Sequence, residues 1–162
     1  MAKIYLFGSA SLNSVAGLEQ ILLGLMEQGH EFIVADGRGA DSAYHMSLSR
    51  IGALDKTTLY VMNKTYNNKY DIKTKVIKTV IDSDKKEAYM IDEATEEVLG
   101  TIEGIESLED LDGNQQYIEF RDRLMMNDCA IAICAWNGES KRELRRIQLL
   151  NIKNKPCYNY KF

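Results

Sequence analysis

The sequence predicts an α/β, Rossmann-like fold: an open parallel sheet of strand order 3-2-1-4-5, with a β-rich insertion after strand 3. Three observations predict it. Short apolar runs alternate with helically spaced apolar residues as βαβαβ over the first 62 residues, the pattern of a parallel sheet with right-handed crossovers. The run Ala130-Ile131-Ala132-Ile133-Cys134-Ala135 is apolar throughout, which suits a central strand covered on both faces. The run Glu31–Ala35 passes through Asp36-Gly37-Arg38-Gly39 directly into a helical pattern, a strand, glycine turn and helix start in succession.

The elements follow in order. Lys3 to Phe7 reads as the first strand, closed by Gly8-Ser9-Ala10-Ser11. Asn13 or Ser14 can cap the next helix, in which Val15, Leu18, Ile21, Leu22, Leu25 and Met26 share helical spacing and Gly29 ends the pattern. After the second strand, Ala43, Met46, Leu48, Ile51 and Leu54 predict a helix from about Asp41 to Ala53, and Thr58 to Met62 is a third strand. Asn63 to Tyr70 then breaks the pattern with polar and aromatic residues. Val76 to Ile81, Ala88 to Ile91 and Val98 to Ile102 predict a hairpin or meander, and the acidic stretch from Ile105 to Gly113 one short helical turn. Tyr117, Phe120, Leu124 and Met125 mark a helix running to about Asn127. After the strand ending at Ala135, Trp136-Asn137-Gly138-Glu139-Ser140 turns into a last helix carrying Leu144, Ile147 and Leu150, and Lys155 to Tyr160 is a terminal strand.

A length of 162 residues fits one domain, 1–162, with the insertion at about 63–113. Hydrophobic residues at 45% supply a core, and no run approaches the ~20 apolar residues of a membrane span. The start of the chain is too short an apolar run for a secretion signal. Three cysteines, Cys129, Cys134 and Cys157, read as thiols of a reducing compartment, so the expected location is cytoplasmic. They have no ligand spacing with His30 or His45, so no metal is expected. A net charge of −4 argues against a broad nucleic-acid surface, and nucleic acid is disfavoured as a partner.

Ligands of open parallel sheets sit beyond the carboxyl ends of the strands. Three turns share that rim: Gly8-Ser9-Ala10, Asp36 to Asp41, and Trp136 to Ser140. Glycines let the backbone turn tightly, the helix start offers unpaired N–H groups to an anion, and Arg38 adds a forked donor. Gly-x-Gly also serves simply to pack a helix on a sheet. The insertion leaves strand 3 at the same rim, as a wall or lid, or as an ornament or dimer arm; a homo-oligomer is compatible with this. Arg121, near the apolar side of its helix, needs a partner, either Asp122 or another structural acid, or an anionic ligand. Trp136 either stacks on a base, the preferred reading, or plugs the sheet end.

Gly8-Ser9 after strand one, Arg38-Gly39-Ala40-Asp41 after strand two, Arg121-Asp122 before strand four and Trp136-Asn137-Gly138-Glu139-Ser140-Lys141 after it resemble the SLOG superfamily. They look most like its small YspA and YpsA members; the superfamily also holds the "lonely guy" phosphoribohydrolases and DNA-processing protein A. The likeness covers roughly residues 3–62 and 115–160. It implies a Rossmann-like fold that binds nucleotides or nucleotide-derived signals such as NAD- or ADP-ribose-like molecules. By position, Gly8 and Ser9 would touch the ligand, Arg38, Gly39 and Asp41 would frame its phosphate or sugar, and Gly138 and Ser140 would close the other side. The chain departs from the family at Asp36, where glycine is usual, at Asn137 in place of an acid, and at Arg142-Glu143 in place of Gly-Thr. The Pro-Gly-Gly-x-Gly-Thr motif of the phosphoribohydrolases is absent.

The leading expectation is therefore a sensor or sequestering protein for a nucleotide-like small molecule. Its ligand contacts would come from Gly8, Ser9, Asp36, Gly37, Arg38, Gly39, Asp41, Arg121, Trp136, Asn137, Gly138 and Ser140. No separate cofactor is expected and no catalytic residue is assigned. The alternative is an N-glycosidic hydrolase or transferase using Asp36, Asp41 or Glu139. Third comes single-stranded nucleic-acid binding, to which Lys141, Arg142, Arg145 and Arg146 would contribute; the bland reading of that cluster is a solvated helix face.

Overall fold

A computed structural model describes residues 1–62, 70, 72, 75–82, 87–102 and 113–162, the side chains of 62, 81, 102, 113–117, 119 and 120 excepted. The strands are β1 (Lys3–Gly8), β2 (Glu31–Ala35), β3 (Thr57–Met62), β4 (Lys75–Asp82), β5 (Glu87–Asp92), β6 (Val98–Ile102), β7 (Ile131–Trp136) and β8 (Cys157–Lys161). They form one sheet of order β6-β5-β4-β3-β2-β1-β7-β8. β1 pairs in parallel with both β2 and β7, and β7 with β8. The expected 3-2-1-4-5 core is thus present as β3-β2-β1-β7-β8.

The expected meander is β4, β5 and β6. β4 pairs in parallel with β3, while β5 and β6 pair antiparallel in turn. These strands lengthen the sheet beyond β3. The acidic turn expected from Ile105 to Gly113 and most of the Asn63 to Tyr70 stretch lie outside the described residues.

Among the described residues, four α-helices cover the sheet: α1 (Glu19–Glu27), α2 (Ala40–Arg50), α3 (Gly113–Asp128) and α4 (Lys141–Ile152). α1 follows a short 3-10 turn, Ala16–Leu18, at which the Ser14 hydroxyl accepts the Ala16 N–H. Gly29, at φ +89°, ends the helical course after α1. α2 stops at Arg50, where Gly52 turns the chain at φ +75°.

Alternation along β1 divides the core into two layers. Ile4 and Leu6 pack with Leu18, Leu22, Tyr44 and Leu48 beneath α1 and α2. Tyr5 and Phe7 pack with Leu124, Met125 and Leu150 beneath α3 and α4. Full burial of each such side chain contributes about 1.5–3 kcal/mol.

α4 departs from its expected pattern. Leu144 is 41% exposed, whereas Glu143 and Arg146 are buried with Leu150. Arg146 turns inward because α3 supplies its partner, and Glu143 faces Arg146. Asp122 lies within 2.6 Å of Arg146.

Candidate functional site

Because β1, β2, β7 and β8 are mutually parallel, their carboxyl ends share one rim. The turns that follow β1, β2 and β7 meet there, and they meet by direct hydrogen bonds. The Ala40 N–H, first of α2, donates to the Ser9 carbonyl at 3.1 Å. The Ser9 N–H donates to the Ala135 carbonyl, and the Ser9 hydroxyl accepts the Asn137 N–H. The Asn137 amide nitrogen donates to the Ser11 hydroxyl, while its oxygen accepts the N–H groups of Glu139 and Ser140.

The glycines make that closeness feasible. A Cβ on Gly8 would lie 2.1 Å from the Ala135 carbonyl oxygen. One on Gly39, held at φ +66°, would lie 2.1 Å from the Ala10 carbonyl oxygen. Gly138, at φ +86°, runs beneath the Lys161 side chain.

Asp41 accepts the Gly37 N–H through its carboxylate, and Ser42 donates its hydroxyl to the Gly37 carbonyl. Asp36, 8% exposed, binds the 3% exposed Arg121 at 2.8 Å. Arg121 also contacts Asp122, which in turn accepts from Arg142 and Arg146, while Arg146 faces Glu143. The Arg146 guanidinium further lies over the Phe7 ring. The result is a buried chain of alternating charge beneath α3 and α4. Burial works to raise the Asp122 carboxyl, but Arg146, Arg121 and Arg142 outweigh it and hold the group below the ordinary range. At Asp36, burial outweighs Arg121 and the carboxyl is raised.

Arg121 thus meets the structural acids that its helix position demanded. Trp136 donates its indole N–H to the Ser140 carbonyl and packs its half-buried ring against the core layer beneath α3 and α4. Arg38 is exposed and makes no hydrogen bond or ion pair to another described residue. It shares the rim with exposed Lys141 and Arg142, at the start of α4, and Lys161, at the end of β8. A groove of about 240 Å³ between α3 and α4 continues from there, lined by Arg142, Arg145, Arg146 and Lys141 over Asp122.

A second cavity, of about 300 Å³, lies beside the rim between α2 and the turn after β1. His45 lines it, 1% exposed, with Nε2 2.7 Å from the Ala35 carbonyl. A carbonyl only accepts, so Nε2 carries the proton, and burial holds the ring's pKa below the ordinary value. Nothing in the sequence marks His45 for such a place, because a single histidine inside a helix carries no pattern of its own. The described residues contain no cluster fit for a metal ion, and no helix among them is long and apolar enough to cross a membrane. The three cysteines are free thiols, two of them buried.

No protein-family model and no curated relative matches the sequence. Among solved structures, the chain is similar to DNA processing protein A from Helicobacter pylori, described by its single-stranded DNA binding mode. The TM-score is 0.57 at 14% identity, over 97% of this chain and 64% of that one. The likeness is one of fold, and this chain spans less than two thirds of that protein's length.

These findings correct two expectations. The nucleotide-like small molecule, NAD- or ADP-ribose-like, is withdrawn. The structure matched is that of a DNA-binding protein, and the three turns expected to surround the ligand are bonded to one another. Of the carboxylates offered for N-glycosidic chemistry, Asp36 is paired with Arg121 and Asp41 with Gly37. The expectation against nucleic acid falls as well. It rested on net charge, which does not describe how charge is distributed over a surface.

The chain is thus a Rossmann-like sheet, similar in fold to DNA processing protein A, whose carboxyl rim buries Asp36 and Asp41 and exposes Arg38, Lys141, Arg142 and Lys161 beside a single exposed acid of the turn after β7, Glu139.

Proposed function

We propose that this chain binds single-stranded nucleic acid along the carboxyl rim of its sheet. The observation that carries the reading is the disposition of charge. Asp36, Asp41, Asp122 and Glu143 are buried, three of them in ion pairs with arginines, whereas Arg38, Lys141, Arg142 and Lys161 are exposed. From β2 to β8 this row spans three strand spacings, about 14 Å, enough for successive phosphates to meet successive cations. The α3–α4 groove extends it. Phosphate contacts of this kind supply affinity without demanding a net basic protein. The fold likeness to a single-stranded DNA-binding protein supports the same reading.

Membership of the SLOG superfamily, and the working of the whole chain as a single domain, belong to the same proposal. The test is a gel shift with single-stranded and duplex oligonucleotides of one sequence. The single strand should shift, more weakly as salt rises, and Lys141→Glu should weaken it. A chain that shifts neither, or shifts only duplex, refutes the reading.

A further inference from the structure

We propose that the cavity between α2 and the turn after β1 holds one base of the bound strand, and that His45 selects adenine or cytosine over thymine there. The inference rests on the reading of single-stranded nucleic-acid binding and adds to it a base-specific site.

The cavity, about 300 Å³, is at the small end of ligand pockets. Leu12, Met46 and Tyr70 give it apolar and aromatic surface suited to a flat ring, and Asn13 stands exposed among its lining residues. It also includes Gly39, next to the exposed Arg38, so a base entering here keeps its phosphate at the rim cations.

Specificity comes from the polar groups that α2 presents. His45 is almost wholly buried, and its Nε2 proton is committed to the Ala35 carbonyl. Its Nδ1 is a bare lone pair that meets no donor among the described residues. The Ser42 hydroxyl has given its proton to the Gly37 carbonyl, so it too faces the cavity as an acceptor. Ser42 and His45, three residues apart on α2 and both lining the cavity, thus offer two acceptors to the two N–H bonds of an exocyclic amine. Adenine carries N6–H₂ and cytosine N4–H₂, whereas thymine puts the O4 acceptor at the corresponding place. Thymine would set lone pair against lone pair and leave His45 unsatisfied.

Fluorescence anisotropy at one fixed salt concentration, with labelled oligo-dA, oligo-dC, oligo-dT and an abasic strand of equal length, tests this. The wild-type chain should bind oligo-dA and oligo-dC about tenfold more tightly than oligo-dT, with the abasic strand no better than oligo-dT. Ser42→Leu, which fills the cavity and removes an acceptor, should erase the preference while leaving oligo-dT binding unchanged. Asn13→Trp, at an exposed position of the lining, gives the same readout should Ser42→Leu not fold. Equal binding of all four strands by the wild-type chain overturns the base site and leaves the strand-binding reading standing. So does a preference that survives both substitutions. Absence of binding to every strand overturns both.

Discussion

Arg121 and Asp36 stand 85 residues apart in the chain and 2.8 Å apart in space, both almost fully buried. The contact ties α3 to the carboxyl end of β2 and decides the character of the rim. It turns inward an acid that would otherwise face any anion bound there. Asp122, held between Arg121 and Arg146, does the same beneath α4.

Breaking this pair should cost far more than a surface ion pair. Arg121→Leu leaves Asp36 buried without its guanidinium and should lower stability by about 3–5 kcal/mol, read from urea unfolding at neutral pH. The double variant Arg121→Leu/Asp36→Leu should recover part of that loss, because no lone charge remains. A single variant within 1 kcal/mol of wild type, on the order of a surface pair, would mean that Asp36 is not held by Arg121.

Glycine substitutions separate close approach from mere helix composition. Gly39→Ala meets both a positive φ and the Ala10 carbonyl, so it should destabilise by upward of about 3 kcal/mol. Gly24→Ala, inside α1 with nothing near the added carbon, should stabilise by about 0.5–1 kcal/mol. Thermal unfolding of the two variants reads the opposite signs directly.

His45 gives stability a pH dependence. Burial lowers its folded pKa below the unfolded value of about 6.5. Between these two values the unfolded chain binds the proton and the folded chain does not. Stability therefore falls as pH drops below about 6.5, and the loss is complete once pH passes below the folded pKa. His45→Gln should flatten this part of a stability–pH profile relative to wild type. Parallel profiles would contradict a buried neutral ring.

Tyr60 donates its hydroxyl to Asp128 at 2.6 Å, joining β3 to the end of α3. Asp128 also meets Lys3. Tyr60→Phe should cost about 1.5–3 kcal/mol, the range for a hydrogen bond to a charged group, measurable by chemical denaturation. Retention of wild-type stability would mean that the contact adds nothing.

Much of the sheet was legible because local pattern and final burial agree. Ala132 to Ala135 are apolar and buried on both faces, and β1 and β2 repeat the rule. The turns at Gly8, Gly39 and Gly138 were legible for the same reason, since glycine marks close approach whatever approaches. What approached was not legible. Gly39 admits the Ala10 backbone, and Ala40 gives its N–H to Ser9, so groups offered to a phosphate by the sequence serve the fold. α4 misled by its own periodicity, since the burial of Arg146 depends on Asp122 from another helix and Glu143 in turn faces Arg146. Tyr44, fully buried with its hydroxyl on the Phe7 carbonyl, carried no signal either. Net charge failed in the same way. It carries no information on place: Arg38, Lys141, Arg142 and Lys161 lie exposed at one rim, while Asp36 and Asp122 lie buried with Arg121 and Arg146.

The most direct test of the rim as a strand-binding surface is the salt dependence of anisotropy for a single-stranded oligonucleotide, comparing wild type with Arg38→Ala/Lys141→Ala. Wild type should bind with log affinity falling linearly in log salt, and loss of two phosphate contacts should reduce that slope by about 1.4. Binding absent up to about 100 μM strand at low salt, or a slope identical in the double variant, would contradict the account.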